Sequence, residues 1–313
     1  MEKWRVLITD GLQDIGKQYL ENVAQADDRK GISADELISQ IEKYDAAIVR
    51  GRTKMTKQVL QKANNLKVIG RCGVGVDNID LETTKAMGIT VVNAPSATTN
   101  AVAELTMGLI FSMMREIPRA DAGMKQAEWL KKELIGVELY GRNLGILGYG
   151  RIGSTVGQMA AAVGMRVIAC SLFSIPETIR IIGGEFLMMD DVIEKSDIIT
   201  IHTPLTEKTR HLINEETIAR MKDGVYIVCA ARGGIIDEDA LLKALNDGKV
   251  AGAALDVFEE EPPNNSPLVN HPKVIATPHI GGQTKAAQRR ASIDIAREVI
   301  AALQGEKLHW KIV

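Results

Sequence analysis

The sequence predicts an α/β protein with two domains, each built on a parallel sheet that helices cover on both faces. Short runs rich in valine and isoleucine alternate with segments of helical character, and this rhythm occurs in two separate stretches of the chain. Parallel strands that are buried on both faces read as continuous apolar runs. The length of 313 residues exceeds one small core and suits two domains of about 100 to 200 residues each.

Four apolar runs predict the strands of the first domain, and two segments between them predict helices. The predicted strands are RVLIT (5–9), AAIV (46–49), KVIG (67–70) and ITVV (89–92). The predicted helices are SADELISQIEK (33–43) and TKQVLQKANN (56–65).

Six further runs predict the strands of the second domain. They are NLGILG (143–148), RVIAC (166–170), DIITIH (197–202), VYIVCA (225–230), AGAALDV (251–257) and KVIATP (273–278). The apolar segment AVAELTMGLIFSMMREI (101–117) lies between the two stretches and predicts one long packed helix. We interpret its Met107, Met113 and Met114 as core residues. The residues from Thr284 onward predict an amphipathic helix followed by a short tail.

Composition and charge exclude several classes of function. A net charge of -2 gives no global argument for nucleic acid or an anionic membrane as a partner. The three cysteines, Cys72, Cys170 and Cys229, are far apart, so neither a disulfide framework nor a metal site is expected. The charged N-terminus lacks the apolar core of a signal peptide, and no run approaches the ~20 apolar residues of a membrane span. We therefore expect a soluble cytoplasmic protein.

The stretch GILGYGRIGSTVG (145–157) carries the first chemical signal, three glycines spaced as Gly148-x-Gly150-x-x-Gly153. In a dinucleotide-binding turn the first glycine permits the tight turn, the second lets the backbone approach the pyrophosphate, and the third allows close helix–strand packing. The helix N-terminus then offers N–H groups to the phosphates. Because a predicted strand precedes the glycines and a predicted helix follows them, the stretch indicates a dinucleotide site rather than a structural turn.

The residue type that usually favours NAD over NADP is missing. An acidic residue about 20 residues beyond the glycines normally accepts hydrogen bonds from the adenosine ribose hydroxyls. Here that place falls at Cys170, Ser171 or Leu172. Ser171 can bond a ribose hydroxyl but cannot repel a 2′-phosphate as a carboxylate would. No arginine follows at once to attract that phosphate, since the next is Arg180. Either NAD or NADP is therefore expected.

Three later segments, read together, carry a family resemblance. They are CAARGGIIDEDAL (229–241), ALDVFEEEPP (254–263) and ATPHIGG (276–282). With them the chain resembles the D-isomer-specific 2-hydroxyacid dehydrogenases. Through GRCGVGVDNIDL (70–81) and AAIVRGRTKMT (46–56) it is most similar to their phosphoglycerate dehydrogenase branch. The resemblance implies a Rossmann nucleotide-binding domain (99–284) inserted into a flavodoxin-like substrate-binding domain (1–98 and 285–313).

The resemblance also implies three catalytic residues, and their chemistry fits. A 2-oxo acid presents a carboxylate and a ketone, which a planar double donor such as Arg232 can hold. Reduction leaves an alkoxide that must be protonated, and a histidine such as His279 suits that task. Glu261 would orient the ring of His279 and favour its protonated form. Taken singly, each residue has a plainer interpretation: a surface ion pair, a solvated acidic run and a structural hydrogen bond, respectively.

The glycine motif and the resemblance together assign the cofactor contacts. HTP (202–204) is expected to line the cofactor through Thr203 and Pro204, whereas His202, His211, His271 and His309 lie outside the catalytic motif. The expected cofactor contacts are Gly148, Gly150, Arg151, Ile152, Gly153, Ser171, Thr203, Pro204, Ala230, Ala231, Arg232, Asp256, His279, Gly281 and Gly282.

The expected substrate contacts come from both domains. They are Arg50, Arg52, Val74, Gly75, Val76, Arg232 and His279. By resemblance, the loop at 74–76 binds the substrate carboxylate through backbone N–H groups. Arg50 and Arg52 suit a second anionic group such as a phosphate or sulfonate. Lys131 and Lys132, which follow Trp129, occupy a place where related enzymes carry basic residues, and surface cations are the alternative.

Two classes of function stay open. The first is an oxidoreductase acting on 3-phosphoglycerate or another acid with an anionic tail, or a general reductase of 2-oxo acids such as hydroxypyruvate or glyoxylate. The second is a non-enzymatic, dinucleotide-sensing corepressor, a role that one branch of the family has. The three catalytic residues favour the enzyme.

The resemblance has two further consequences. It implies a homodimer, with the helix at 101–117 as an interface or, alternatively, as part of the core. RGRT (50–53) departs from the arrangement usual in the branch. The chain ends at Val313 without the appended regulatory domain of many relatives, so feedback by serine through such a domain is not expected.

Overall fold

The chain forms two compact units in the computed structural model, which describes residues 3–171 and 176–313. Unit 1 consists of Met1–Thr98 and Gly282–Val313, and unit 2 is Thr99–Gly281. The chain therefore leaves unit 1 once, completes unit 2, and returns to unit 1 a few residues before its last helix.

Twelve strands are present in the described part of the chain. Unit 1 contains β1 (Trp4–Ile8), β2 (Ala24–Asp28), β3 (Ala46–Val49), β4 (Val68–Arg71) and β5 (Thr90–Asn93). Unit 2 contains β6 (Asn143–Leu147), β7 (Arg166–Cys170), β8 (Glu185–Phe186), β9 (Ile198–Ile201), β10 (Val225–Cys229), β11 (Val250–Leu255) and β12 (Val274–Ala276).

Helices connect the strands. Unit 1 contains α1 (Asp14–Glu21), α2 (Ala34–Gln40), a 3-10 turn at Ile41–Lys43, α3 (Lys57–Leu60) and α4 (Leu81–Ala86). Unit 2 contains α5 (Thr99–Met114), α6 (Ile117–Lys125), α7 (Arg151–Ala162), α8 (Pro176–Ile181), α9 (Met189–Lys195), α10 (Glu215–Arg220) and α11 (Glu238–Asn246). The last helix, α12 (Lys285–Gln304), belongs to unit 1.

The sheet of unit 1 has the strand order β2-β1-β3-β4-β5, and all of its strand pairs are parallel. This is the flavodoxin-like order, in which the chain reverses its direction of winding between β1 and β3. The C-terminal tail adds a short antiparallel contact to the outer strand, with Lys311 opposite Val92. Loops that follow β1 and β3 therefore meet at the reversal point, where ligands bind in such sheets.

The sheet of unit 2 has the order β12-β11-β10-β9-β6-β7-β8 and is parallel throughout. Its reversal point lies between β6 and β9, the order expected of a Rossmann sheet. In both units apolar side chains fill each face of the sheet, giving two core clusters per unit. The two predicted α/β units with parallel sheets are thus confirmed.

Two strands, β2 and β8, were not predicted because neither contains an apolar run. β2 reads AQADD and lies at the edge of its sheet, while β8 is only two residues long. An edge strand has one neighbour and is less enclosed, so its sequence does not need to be apolar.

The single helix predicted at 101–117 is wrong in its C-terminal part. α5 ends at Met114, Glu116 adopts a left-handed φ of 48°, and α6 begins at Ile117. Pro118 has no N–H to donate to the Met114 carbonyl, so the helix cannot continue through it. The amide of Val137 donates to that carbonyl instead, at 2.8 Å. The predicted burial of the three methionines of α5 is confirmed.

Candidate active site

The glycine turn of unit 2 lies between β6 and α7, and each glycine is required for a different reason. Gly148 has a φ of 101°, and a Cβ there would lie 2.7 Å from the His202 carbonyl carbon. At Gly153 a Cβ would lie 2.2 Å from the Gly148 oxygen. At Gly150 a Cβ would meet nothing within 4 Å, so the backbone faces open space. These are the tight turn, close packing and ligand approach of a pyrophosphate-binding turn.

The end of β7 is attached to the same turn. The Cys170 carbonyl accepts hydrogen bonds from the amides of Gly148 at 2.9 Å and Tyr149 at 3.2 Å. Ser171 follows directly and is partly exposed. Cys170 and Ser171, two of the three residues considered for the place of the missing acid, thus adjoin the turn. Leu172, the last of the three residues considered for this place, lies outside the described residues.

The loop after β9 forms another wall of the turn. Within the described chain, the buried Thr203 hydroxyl has no hydrogen-bond partner, and neither has Nδ1 of His202. A buried hydroxyl without a partner is costly, which is consistent with a ligand that supplies one. Burial lowers the pKa of His202 to about 4, so its ring is neutral near pH 7. Together with the open space at Gly150, the Thr203 hydroxyl fits a bound dinucleotide.

His279 and Glu261 form the predicted pair. Nδ1 of His279 lies 2.7 Å from Oε2 of Glu261, and Oε1 of Glu261 accepts from the Phe258 amide at 3.2 Å. Burial by itself raises the pKa of Glu261. Three groups have the opposite and larger combined effect, namely His279 through its hydrogen bond and charge, the Phe258 amide, and the charge of Arg232. The pKa of Glu261 therefore lies below its ordinary value. The glutamate is therefore ionised, and Nε2 of His279 points away from it.

Arg232 lies in the loop that follows β10, two residues beyond the buried Ala230. Its Nη1 donates to the Ala231 carbonyl at 2.6 Å, and its charge acts on Glu261. A Cβ at the next residue, Gly233, would lie 1.7 Å from the Phe258 oxygen. The glycine thus lets this loop lie directly against the segment that carries Glu261. All three predicted catalytic residues are near one another in unit 2.

Asp256 organises the loop that carries His279. Its side chain is fully buried, and it accepts from the Thr277 hydroxyl at 2.6 Å and from the amides of Ile280 and Gly281, both at 2.8 Å. These contacts hold His279 at a φ of 52°, a conformation that costs a non-glycine residue about 1 kcal/mol or more. The sequence indicated Asp256 as a cofactor contact, and the structure shows in addition that it orders this loop.

The predicted carboxylate loop of unit 1 follows β4. The amides of Val74, Gly75 and Val76 donate no hydrogen bond to any described residue. The loop itself is held in place, because Asn93 Nδ2 donates to the Val74 carbonyl at 2.7 Å and the Ala94 amide donates to Gly73 at 2.9 Å. Three amides on a fixed loop make a suitable site for an anion. Sequence reasoning missed Asn93, a polar residue that ends an apolar strand.

The two arginines of RGRT are placed differently within unit 1. The Arg50 guanidinium makes no hydrogen bond or ion pair with the described residues, and the side chain is partly buried. Arg52 is engaged: its Nη2 lies 3.0 Å from Oδ1 of Asp10, a residue that the sequence analysis did not single out. Of these two arginines, Arg50 is therefore the one whose guanidinium makes no bond to a described residue.

The remaining predicted residues lie apart from these contacts. Lys131 and Lys132 are exposed on the segment after α6. Burial raises the pKa of Cys170 and of Cys229 to about 11, so both thiols stay protonated at neutral pH. Among the described residues, no group of three histidine, cysteine or acidic side chains is arranged to hold a metal ion. No described helix combines the length and apolar character that a membrane span requires.

A glycine turn of the dinucleotide-binding kind and a histidine–glutamate pair beside an arginine are features expected of nicotinamide-dependent dehydrogenases. Within that class the chain belongs to the D-isomer specific 2-hydroxyacid dehydrogenase family. The NAD binding domain of the family matches residues 107–281.

Individual relatives agree with this assignment. The chain is 47% identical over 305 residues to the D-3-phosphoglycerate dehydrogenase of Methanocaldococcus jannaschii, covering 96% of this chain and 58% of that protein. A glyoxylate reductase from Paecilomyes thermophila has a similar structure, with a TM-score of 0.91 and 28% identity, covering 100% of this chain and 99% of the other. D-Lactate dehydrogenase from Aquifex aeolicus, complexed with NAD and lactic acid, also has a similar structure. Its TM-score is 0.84 and its sequence identity is 31%, with 96% of each chain covered.

The chain spans a little over half of the length of the curated relatives that it matches, 57% to 58% of the first three. The matched part includes the dinucleotide turn and the three residues predicted to be catalytic, all of which lie between residues 148 and 279.

Proposed function

We propose that the protein transfers a hydride between a nicotinamide dinucleotide and a small 2-hydroxy or 2-oxo acid that carries a second anionic group. The acid that fits best is 3-phosphoglycerate, or 3-phosphohydroxypyruvate in the reducing direction. The observation that carries the proposal is the 2.7 Å contact between His279 and Glu261, because it orients a proton donor whose other nitrogen is left for the substrate.

Arg232, His279 and Glu261 each have a separate role in the proposed reaction. Arg232 binds the carboxylate of the 2-oxo acid and polarises its carbonyl group. Nε2 of His279 donates a proton to the carbonyl oxygen as negative charge develops on it. Glu261 remains ionised and stabilises the protonated ring. When bound, the nicotinamide supplies the hydride to the carbonyl carbon. In the oxidising direction His279 accepts the hydroxyl proton instead.

Residues of unit 1 are suited to contact both anionic groups of the substrate. The free amides at 74–76 suit the carboxylate, and Arg50 suits the phosphate. The similarity to D-3-phosphoglycerate dehydrogenases favours this substrate. The similarity to a glyoxylate reductase keeps a smaller 2-oxo acid as the second choice.

The proposal is tested by the initial rate of NADH and NADPH oxidation with 3-phosphohydroxypyruvate, hydroxypyruvate and pyruvate. We expect the highest kcat/KM for the phosphorylated acid. Turnover of the smaller acids alone would make the protein a general 2-oxo acid reductase. Absence of turnover with all three acids, in a folded protein that binds the dinucleotide, would contradict the proposal.

We further propose that the protein binds NAD and also accepts NADP. Ser171 offers a hydroxyl to the ribose but no negative charge to repel a 2′-phosphate. Ser171→Asp is therefore expected to lower the NADPH-to-NADH ratio of kcat/KM by about tenfold, since a charged repulsion of this kind is worth roughly 1 to 2 kcal/mol. Ser171→Asn is the matched control, because it adds similar volume without charge. An unchanged ratio in Ser171→Asp would show that this residue does not face the ribose.

We propose that the protein is cytoplasmic and forms a homodimer. The segment 111–140 of unit 2 exposes six large apolar side chains, more than isolated surface residues explain. They are Phe111, Ile117, Met124, Trp129, Ile135 and Tyr140. The buried face of α5 belongs to the core, so the exposed side chains beyond it are the better interface. Light scattering after size-exclusion chromatography is expected to give twice the chain mass, and a monomer at micromolar concentration would contradict this.

A further inference from the structure

A buried carboxylate holds the arginine segment of unit 1 in place. Asp10 follows β1, and only 5% of its side chain is exposed. Oδ2 accepts from the amides of Arg50 at 2.7 Å and Thr53 at 3.1 Å. Oδ1 accepts from the Thr53 hydroxyl at 2.7 Å and from Nε of Arg52 at 3.0 Å. One carboxylate thus fixes both ends of RGRT (50–53).

The guanidinium of Arg52 donates hydrogen bonds to other residues of unit 1. Besides its contacts with Asp10, its Nη2 donates to the Thr9 carbonyl at 3.0 Å and its Nη1 to the Ile32 carbonyl at 3.1 Å. All three guanidinium nitrogens therefore already donate to an oxygen. To contact a substrate, Arg52 would have to break bonds to a buried charge, which would leave Asp10 without its cation.

Arg50 has a fixed backbone and an unengaged side chain. Asp10 accepts from its amide, and Asn78 Nδ2 donates to its carbonyl at 2.8 Å and to the Thr53 carbonyl at 2.6 Å. Its guanidinium makes no hydrogen bond or ion pair with the described residues. The charge does reach Cys72, which begins the loop after β4.

The position of these residues in the sheet supports a role in ligand binding. Asp10 follows β1 and Arg50 follows β3, and these two strands are neighbours at the reversal point of the sheet. Ligands of doubly wound sheets bind at the carboxyl ends of the strands at that point. The Asp10 contacts thus lie where a substrate group is expected, rather than on a remote surface.

We propose that Asp10 is a positioning residue for substrate selection. Asp10 binds the guanidinium of Arg52 and holds the backbone of Arg50. The guanidinium of Arg50 then contacts the second anionic group of the acid. The inference rests on the proposed function and refines it, because one arginine, and not the pair that the sequence predicted, contacts the substrate. Arg52 acts through the loop.

The test compares Arg50→Gln, Arg52→Gln and the double variant, each with 3-phosphohydroxypyruvate and with hydroxypyruvate, which lacks the phosphate. The quantity of interest is the selectivity ratio, kcat/KM for the phosphorylated acid divided by kcat/KM for hydroxypyruvate. A purely structural residue would change both values together and leave the ratio unchanged. Arg52→Lys serves as the conservative variant, since a lysine can still pair with Asp10.

We expect Arg50→Gln to lower the selectivity ratio about 10- to 100-fold, the usual effect of losing a charged hydrogen-bond partner. Arg52→Gln should lower it only about three- to fivefold, because the loop that presents Arg50 is loosened. In the double variant, Arg52→Gln should add no further loss, since it acts through Arg50. Arg52→Lys should recover most of the wild-type ratio.

Three outcomes separate the possibilities. If Arg52→Gln lowers the ratio as much as Arg50→Gln, and the losses add in the double variant, Arg52 contacts the substrate and the inference is overturned. If the wild type turns over both acids with equal efficiency, there is no second anionic subsite, and the inference fails while the dehydrogenase activity stands. If the wild type turns over neither acid, the proposed function itself fails.

Discussion

Two buried aspartates, one in each unit, order the loops that carry the functional side chains, but they do so with different donors. Asp256 in unit 2 accepts from a threonine hydroxyl and from two amides. Asp10 in unit 1 accepts from two amides and a hydroxyl and also from the guanidinium of Arg52. Both carboxylates are satisfied, as buried charges must be.

The difference shows what happens to a cation beside a buried carboxylate. On the loop that Asp256 orders, His279 pairs with Glu261 through Nδ1, and we propose that its Nε2 faces the substrate. Arg52, in contrast, donates to the carboxylate of Asp10, and its guanidinium is therefore part of the scaffold that holds the loop. We call residues 277–281, which Asp256 orders, the Asp256 loop, and residues 50–53, which Asp10 orders, the Asp10 loop. We expect the Asp256 loop to govern the rate of the chemical step and the Asp10 loop to govern the choice of substrate.

The largest expected effect is the loss of the proton donor on the Asp256 loop. His279→Gln should lower kcat by about 10²- to 10⁴-fold on every acid tested, the usual contribution of a general acid. Dinucleotide affinity, measured by fluorescence titration, should stay within a few-fold of wild type. A variant that kept wild-type kcat would show that another group donates the proton.

Weakening the Asp256 loop should have the next largest effect. Asp256→Asn replaces one acceptor oxygen by an N–H₂ group that faces a donor, so both loop geometry and stability suffer. We expect kcat to fall about tenfold through displacement of His279, and the free energy of unfolding in urea to fall by about 1 to 3 kcal/mol. Glu238→Gln, a change of an acidic residue at the start of α11, is a control of equal charge.

The smallest effect concerns the pH dependence of stability. Because the pKa of Glu261 is lowered on folding, the pair with His279 stabilises the protein fully above the ordinary glutamate value of about 4.3 and progressively less as pH falls through the lowered value. The side chain is 37% exposed, so solvent screening keeps the effect to about 2 °C in Tm. The Tm difference between wild type and Glu261→Gln should therefore be constant from about pH 5 to 6 and shrink near pH 3 to 4. A difference that grew toward acid pH would contradict the direction of the pKa shift.

Much of the fold followed from the sequence because buried parallel strands need continuous apolar runs. β3 and β7 were predicted to the residue, and the glycine spacing located the turn of unit 2. β2 could not be predicted, because an edge strand such as AQADD carries no apolar pattern. The end of α5 was missed because the apolar pattern runs past Met114, whereas the backbone bond that Pro118 cannot make ends the helix.

The site was predictable only in part. Arg232, Glu261 and His279 were named from motifs, and the 2.7 Å contact of the last two supports their pairing. Which arginine of RGRT is available depends on Asp10, forty residues earlier in the chain, and residue types alone do not show such a contact. A polar residue directly after an apolar strand, as in LITD (7–10), is the one local signal that would have drawn attention to it.

The division of work between the two aspartates is tested most directly by measuring one quantity in two variants. Asp256→Asn and Asp10→Asn are compared with wild type for the ratio of kcat/KM with 3-phosphohydroxypyruvate to that with hydroxypyruvate. We expect Asp256→Asn to lower both values in proportion, which leaves the ratio unchanged, and Asp10→Asn to lower the ratio severalfold. A ratio that changes in Asp256→Asn and stays constant in Asp10→Asn would contradict the assignment of the two loops.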